Sequence, residues 1–161
     1  KIREKSFIKS MASFKGLPHR FEIFLKKKNI TFINDSKATS FRATQSALSS
    51  LSNIYWILGG LPKKNDKINI SILRENIFKC YLIGKHINFF KKQIKDKLIF
   101  SITKNLKNSI IQISKDSKMQ KNNDKFVLLS PAAASFDQFT NFEDRGNKFK
   151  KLCKRYARKF I

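Results

Sequence analysis

Short runs of apolar residues, each bounded by polar turns, constrain the fold of this chain more than any other feature. The run "IYWILGG" at 54–60 contains no charged residue and no alternation of polar and apolar positions. Such a run is typical of a strand covered on both faces, as in a parallel sheet with helices on either side. Similar runs recur as "KCYLIG", "KLIFSI" and "KFVLLS", with helix-like segments between them. This alternation predicts an α/β fold.

The order of these elements predicts a Rossmann-like, doubly wound and mostly parallel sheet. The runs "FEIFL" and "ITFIN", separated by the polar turn "KKKN", predict a hairpin that adds an antiparallel strand. Ser40 or Thr39 is the candidate N-cap of the first helix of the sheet domain. Apolar spacing predicts helices at 4–14, 41–51, 70–77, 86–96, 105–119 and 141–158.

Length and composition describe a globular domain. The chain has 161 residues, of which 41% are hydrophobic, and no apolar run approaches the roughly 20 residues of a membrane span. Cys80 and Cys153 lie in apolar patterns, which favours two buried thiols in a reducing compartment, and we expect a cytoplasmic location. The first residue is Lys1 rather than Met, so we expect the chain to be a piece of a longer protein.

The net charge of +24 is the feature that most suggests nucleic acid or an anionic membrane as a partner. The lysines, however, are scattered and accompany abundant Asn and Ile, the three residues that A/T-rich codons supply. In the most basic block, "KFKKLCKRYARKF", the apolar residues fall at helical spacing with the charges opposite them. We therefore predict a solvated helix face, with neither nucleic acid nor membrane as partner. A basic nucleic-acid-binding module remains the alternative outside the enzyme class.

Polar clusters follow three of the predicted strands. Asp35, Lys37 and Thr39 come after "ITFIN", Lys63 comes after "IYWILGG", and Ser135 comes after "KFVLLSPAAA". Ligands of open α/β sheets bind outside the carboxyl ends of the strands, so the topology predicts one shared site at that edge.

The residue types in these clusters suit an anionic ligand. The Asp35 carboxylate can accept hydrogen bonds from a ribose or orient a cation, and Lys37 and Lys63 offer mobile charges for phosphate or carboxylate. The small residues 132–134 let backbone amides approach a ligand closely. Structural interpretations stay open: Asp35 as a turn residue, Lys63 as a solvated side chain and Ser135 as a cap. In the same way, the pattern allows Phe142 as a core residue and His19 and His86 as structural residues.

Four strings of the sequence resemble the C-terminal domain of the Mur ligase family, in particular its D-glutamate-adding branch. They are "GLPHRFE", "FINDSKAT", "ILGG" and "LLSPAAASFDQFTNFEDRG". Their order and spacing fit over residues 15–157. Other branches follow the turn acid with Tyr-Ala-His or Tyr-Asn-Ala, whereas this chain has "DSKAT".

The resemblance implies a role for seven residues, and no metal ligand. The implied nucleotide contacts are Arg20, Asp35 and Lys37. The implied D-glutamate contacts are Lys63, Ser135, Phe142 and Thr39. The family usually has a Gly after the ligand lysine, whereas this chain has Lys64, which makes Lys64 the second candidate.

The resemblance also implies the reaction of an ATP-dependent amide-forming ligase in peptidoglycan synthesis. ATP, with Mg²⁺, would phosphorylate the carboxylate of UDP-N-acetylmuramoyl-L-alanine, and the amine of D-glutamate would attack the acyl phosphate. The family's GxxGK[ST] phosphate loop is missing from the sequence, and the resemblance implies that the carbamylated lysine also belongs to the missing central domain. We therefore expect residues 1–14 to end a central ATPase domain and residues 15–161 to form a monomeric C-terminal domain that is inactive alone. A folylpolyglutamate-type or other Mur ligase, or a degenerate remnant, are the alternatives.

Overall fold

The fold is built on one six-stranded sheet. The structure, a computed structural model, describes residues 16–71, 73–120 and 123–160. The strands are β1 (Glu22–Lys27), β2 (Ile30–Asn34), β3 (Ile54–Gly59), β4 (Ile77–Ile83), β5 (Phe100–Lys104) and β6 (Lys125–Leu129). The helices are α1 (Phe41–Ser50), α2 (Ile87–Ile94), α3 (Leu106–Met119) and α4 (Phe142–Tyr156), with 3-10 turns at Arg74–Asn76 and Ala157–Phe160. The helix predicted at 4–14 lies outside the described residues.

The strands lie in the order β1-β2-β6-β3-β4-β5. β1 and β2 pair antiparallel, with Glu22 opposite Asn34 and Lys27 opposite Ile30, and every other neighbouring pair is parallel. The predicted α/β class, the mostly parallel sheet and the antiparallel hairpin strand are therefore confirmed. Although β6 comes last along the chain, it lies between β2 and β3. The carboxyl ends of these three strands are consequently side by side.

Helices cover both faces of the sheet because β3 carries apolar side chains on both sides. Trp56 and Leu58 lie in the core beneath α1 and α2, whereas Tyr55 and Ile57 lie in the core beneath α3 and α4. All four side chains are fully buried. Burying one large apolar side chain stabilises the fold by about 1.5–3 kcal/mol, so this strand is a major source of stability. Its burial on both faces is as predicted from "IYWILGG".

Side-chain caps fix where three of the helices begin. Ser40, Asn105 and Asn141 each accept a hydrogen bond from a backbone N–H of the following first turn, ahead of α1, α3 and α4. Such a bond satisfies a donor that the helix itself leaves unpaired. Of the two caps predicted for α1, Ser40 is the one used.

Element boundaries before β4 and before β5 differ from the sequence-based prediction, and β4 itself begins at Ile77, ahead of "KCYLIG". The helix predicted at 70–77 is only the 3-10 turn Arg74–Asn76, because Ile77 already pairs with β3 as the first residue of β4. The strand predicted from "KLIFSI" starts later, at Phe100. The amides of Lys97 and Leu98 still donate to the Ile94 carbonyl and complete the turn that ends α2.

The cysteines and the basic helix match their predictions. Cys80 and Cys153 are free and buried, and burial raises the pKa of both thiols. In α4, Phe149 and Cys153 face the core while most of the lysines are exposed. Within the described ranges, no helix is long and apolar enough to span a membrane.

A polar cluster occupies the opposite edge of the sheet, near the amino ends of the strands. The Asp116 carboxylate in α3 accepts hydrogen bonds from Lys79 Nζ at 2.8 Å, Tyr81 Oη at 2.7 Å and Gln112 Nε2 at 2.9 Å. Burial of the carboxyl opposes its ionisation, but these donors outweigh burial and hold the pKa of Asp116 below its usual value. The cluster ties α3 to β4.

Replacing Asp116 with Asn should lower the free energy of unfolding by about 1.5–3 kcal/mol at pH 7, since hydrogen bonds to a charged group are lost. Because the folded-state pKa is depressed, this contribution is present above the unfolded-state pKa of about 3.9 and is lost as the pH falls through the folded value. Urea unfolding between pH 2 and 7 measures the difference. The Asp96→Asn variant is the control, since Asp96 is exposed and its φ of 65° suits Asn. An equal effect of both substitutions at pH 7 would contradict the assignment.

Candidate functional site

The loops that follow β2, β3 and β6 are joined by backbone hydrogen bonds at the carboxyl edge of the sheet. The Asp35 amide donates to the Leu129 carbonyl at 2.8 Å. Leu61, in the loop after β3, and Ala134, in the loop after β6, exchange two hydrogen bonds of 2.9 and 3.0 Å. The three loops predicted to share a site therefore do lie together.

A cleft of about 600 Å³ opens beside the loop after β2. Arg20, Phe21, Asp35 and Lys37 line it, so the cleft contains all three predicted nucleotide contacts. Small residues of α1, namely Ala43, Ser46, Ala47 and Ser50, also line it. Two cations, a carboxylate and small side chains in one cleft can bind a polar ligand that carries negative charge.

Asp35 is the one acidic residue among the described residues that line this cleft. It is only 8% exposed, and its carboxylate accepts hydrogen bonds from the Ser130 hydroxyl at 2.7 Å and the Phe21 amide at 3.1 Å. Burial raises the pKa of Asp35, although these two donors and the nearby Arg20 act in the opposite direction. A buried acid in a cleft with a perturbed pKa is a physical indication of a functional site. Phe21 also has a left-handed φ of 44°, a strained geometry for an aromatic residue.

Lys37 connects the predicted nucleotide contacts with a predicted D-glutamate contact. Its backbone amide donates to the His19 carbonyl at 3.1 Å, and its exposed side chain places Nζ 4.8 Å from the centre of the Phe142 ring. His19 itself is buried, hydrogen-bonded to Asn34 and in edge contact with Phe142. His19 is therefore held in place by Asn34 and Phe142, in agreement with the prediction that it is a structural residue.

The remaining predicted D-glutamate contacts lie on the joined loops, but their side chains differ in how deeply they are buried. Ser135 is 2% exposed, and its carbonyl accepts the amides of the turn that follows. Lys63 and Lys64 both extend into solvent, so the structure does not choose between them. Thr39 is half-buried. The Lys63 loop also reaches α1, since Asp66 Oδ2 accepts the first amide of that helix at 2.8 Å.

Sequence reasoning missed Arg145. This side chain is fully buried, and its guanidinium donates to Ser36 and Ala133. A usable signal existed in "NFEDRG", because position 145 falls at helical spacing with the buried positions 149 and 153. An arginine on the apolar stripe of an amphipathic helix requires hydrogen-bonding partners in the interior.

No three His, Cys, Asp or Glu residues in the described part of the chain converge in a way that could hold a metal ion. The features of the carboxyl edge on which a function can be argued are its joined loops, its cleft and its charged side chains. These features define an α/β domain whose carboxyl edge carries a cleft lined by two cationic side chains and one carboxylate.

Comparison with known proteins gives the relatives of this chain. It is 41% identical over 144 residues to the UDP-N-acetylmuramoylalanine–D-glutamate ligase of Nitrobacter hamburgensis, which covers 89% of the chain and 31% of that ligase. It is 37% identical over 156 residues to the ligase of the same name from Rickettsia felis, a match that covers 97% of the chain and 35% of that ligase. It is 38% identical over 148 residues to the one from Rhizobium meliloti, a match that covers 92% of the chain and 32% of that ligase. No family model matches the chain.

Over about nine-tenths of its length, the chain is therefore similar to UDP-N-acetylmuramoylalanine–D-glutamate ligases, and the resemblance predicted from its motifs is confirmed. The chain spans about a third of the length of the curated relatives it matches.

Replacing Gly60 with Ala should separate the loops after β3 and β6. Gly60 has a φ of 137°, and an added Cβ would lie 2.3 Å from the Ala134 carbonyl oxygen and 3.1 Å from the Ala133 Cβ. We expect a loss of about 2–4 kcal/mol in the free energy of unfolding, measured by urea titration. The matched control is Gly16→Ala, where φ is also positive but nothing lies within 4 Å. That variant should lose about 1 kcal/mol or less, from the left-handed backbone alone. Equal losses in the two variants would show that the loop contact is not tight.

Proposed function

We propose that this chain is the C-terminal domain of an ATP-dependent UDP-N-acetylmuramoylalanine–D-glutamate ligase. In this proposal residues 1–14 are the tail of a central ATPase domain and residues 15–161 form the domain itself. The observation that carries the proposal is that the Asp35–Lys37 cleft and the loops of Lys63 and Ser135 share one edge of the sheet. The names of the relatives support the substrate assignment.

The nucleotide would occupy the cleft of Arg20, Asp35 and Lys37. In the proposed arrangement, Asp35 accepts hydrogen bonds from the ribose, because its carboxylate is fixed by Ser130 and Phe21. Arg20 and Lys37 place positive charge near the phosphates. The small residues of α1 leave room for a flat base.

D-glutamate would lie on the other side of Lys37, between the loops after β3 and β6. Ser135 and Lys63 would bind its carboxylates, with Lys64 as the second candidate for the lysine. Phe142 would form part of the pocket wall through its ring and backbone. Thr39 would lie next to the amide bond that forms. Support for this division comes from the contact of Lys37 with the Phe142 ring, which brings the two ligand sets together.

The proposed reaction proceeds through an acyl phosphate. The γ-phosphoryl group of ATP is transferred to the carboxylate of UDP-N-acetylmuramoyl-L-alanine with release of ADP. The D-glutamate amine then attacks the acyl carbon, loses a proton and displaces inorganic phosphate. This chain contributes positioning and charge stabilisation, which hold anionic reactants at reaction distance. Mg²⁺, the phosphate loop and the carbamylated lysine belong, in this proposal, to the rest of the ligase. The chain alone is therefore inactive, and the complete enzyme acts as a monomer in the cytoplasm.

The other candidates lack a specific observation in their favour. A nucleic-acid-binding module depends on the net charge alone, and the lysines of α4 lie mostly on its exposed face. A folylpolyglutamate-type ligase or another Mur ligase is disfavoured because the relatives described above carry the D-glutamate ligase name.

A chimera tests the proposal directly. In it, this chain replaces the matching third of the Rickettsia felis ligase, which is aligned over 97% of the chain. With ATP, Mg²⁺ and UDP-N-acetylmuramoyl-L-alanine, we expect phosphate release that depends on D-glutamate and is absent with L-glutamate. The 161-residue chain alone should release no phosphate. A chimera that melts cooperatively yet gives no D-glutamate-dependent release would contradict the proposed function.

Two substitutions in the chimera should affect different substrates. Asp35→Asn should raise the apparent KM for ATP about tenfold, the effect of losing roughly 1.4 kcal/mol, and leave the KM for D-glutamate within twofold. Lys63→Ala should raise the apparent KM for D-glutamate about tenfold and leave the KM for ATP within twofold. Lys64→Ala is the matched control, and a D-glutamate effect confined to it would transfer the role to Lys64.

The melting temperature shows whether the Asp35 variant is merely unfolded. Because the folded-state pKa of Asp35 is raised, its ionisation opposes folding as the pH rises through that value. The Asn variant should therefore melt no lower than the parent at pH 7. Equal changes in both KM values, together with a lower melting temperature, would indicate a structural role only.

A further inference from the structure

The guanidinium of Arg145 lies at the point where the loops of the carboxyl edge meet. Nε donates to Ser36 Oγ at 3.0 Å, Nη2 donates to the Ser36 carbonyl at 2.7 Å, and Nη1 donates to the Ala133 carbonyl at 2.9 Å. Ser36 belongs to the loop after β2 and Ala133 to the loop after β6. One side chain therefore holds both loops at hydrogen-bonding distance.

Two further contacts extend this junction. The Ser36 hydroxyl, which accepts from Arg145, donates in turn to the Phe142 carbonyl at 2.8 Å, at the start of α4. The loop after β3 packs against the same guanidinium, since a Cβ added to Gly60 would lie 3.3 Å from Nη1. The loops after β2, β3 and β6 and the start of α4 all carry proposed ligand residues. Each of these four segments thus contacts Arg145 or its partner Ser36.

A side chain of this kind is costly to bury. Arg145 is 0% exposed, and burial lowers its pKa to about 10, with Asp137 acting in the opposite direction. Among the described residues, its hydrogen-bond acceptors are a hydroxyl and two carbonyls rather than a carboxylate. Its hydrogen bonds to these three oxygens therefore have to offset the cost of removing the guanidinium from water. The planar fork of arginine can reach three acceptors in fixed directions, which the single nitrogen of lysine cannot do.

We infer that Arg145 is a positioning residue that holds the nucleotide-contacting loop after β2 and the D-glutamate-contacting loops after β3 and β6 in one fixed arrangement. The assignment of ligands to these loops rests on the proposed function, whereas the loop positioning does not. In this inference the guanidinium also transmits to the other loops any ordering that a ligand imposes on one of them. The resulting coupling between nucleotide and D-glutamate is reciprocal.

Amide hydrogen exchange of the full 161-residue chain tests the positioning. In Arg145→Met, the amides of Lys37, Leu61 and Ala134 should exchange at least about tenfold faster, because the loops open locally. The amides of β4 and β5 should change less than twofold. Arg145→Lys, which keeps the charge but not the fork, should resemble the Met variant.

Control variants separate positioning from general effects. Arg155→Met removes an exposed arginine of the same helix and should leave all three amides unchanged. Ser36→Ala removes only the hydroxyl relay, so it remains informative if Arg145→Met does not fold, and it should accelerate exchange at Lys37. Uniform acceleration across the sheet in Arg145→Lys and Ser36→Ala, or no acceleration in either, would overturn the inference.

Kinetics of the chimera test the coupling between ligands. In the parent chimera, saturating ATP should lower the apparent KM for D-glutamate about fivefold relative to ATP at one-tenth of its KM. In Arg145→Lys the ratio should fall to nearly one, while kcat changes less than the ratio does. An unchanged ratio in Arg145→Lys would refute the coupling. An inactive parent chimera would refute the proposed function instead, and the exchange experiment would still decide the positioning role.

Discussion

The parallel pairing of β6 with both β2 and β3 determines where the other parts of the molecule lie. Leu129 of β6 is opposite Asn34, the last residue of β2, and also opposite Ile57 of β3. Because the three strands end at nearly the same level, the loops that follow them meet, although about a hundred residues separate Asp35 from Ala134. The backbone bridge at Leu61, the Ser130–Asp35 bond and the Arg145 junction all depend on this alignment.

The sequence predicted the strands better than it predicted the contacts between the loops. Apolar runs such as "IYWILGG" identify buried strands because burial on both faces removes all polar positions, and this signal is local. The 3-10 turn at 74–76 and the late start of β5 could not be predicted, since each depends on where a neighbouring element ends. The convergence of Asp35 with the loops of Lys63 and Ser135 followed from the topology. The role of Arg145 did not, because its acceptors are two backbone carbonyls and a serine hydroxyl from distant segments.

Two buried ionisable groups flank the loop after β2 and are perturbed in the same sense, toward their neutral forms. Burial raises the pKa of Asp35 and lowers that of Arg145. The polar cluster around Asp116 behaves differently, because its hydrogen bonds favour the charged carboxylate. Despite the opposing effect of burial, hydrogen bonds also hold the pKa of Glu22 below its usual value, although Glu22 lies opposite Asn34 at the carboxyl edge, so the direction depends on the donors around each group rather than on the edge.

The chain contains a single tryptophan, and its position beside the cleft has a spectroscopic consequence. Trp56 Nε1 donates to the Ser130 carbonyl at 2.7 Å, and the hydroxyl of the same serine donates to Asp35. The indole is therefore one residue away from the acid at the floor of the cleft, while its ring is shielded from water. Because both side chains bond to Ser130, a change in the charge of Asp35 alters the electric field at the indole, which makes the tryptophan emission an intrinsic optical probe of this carboxyl.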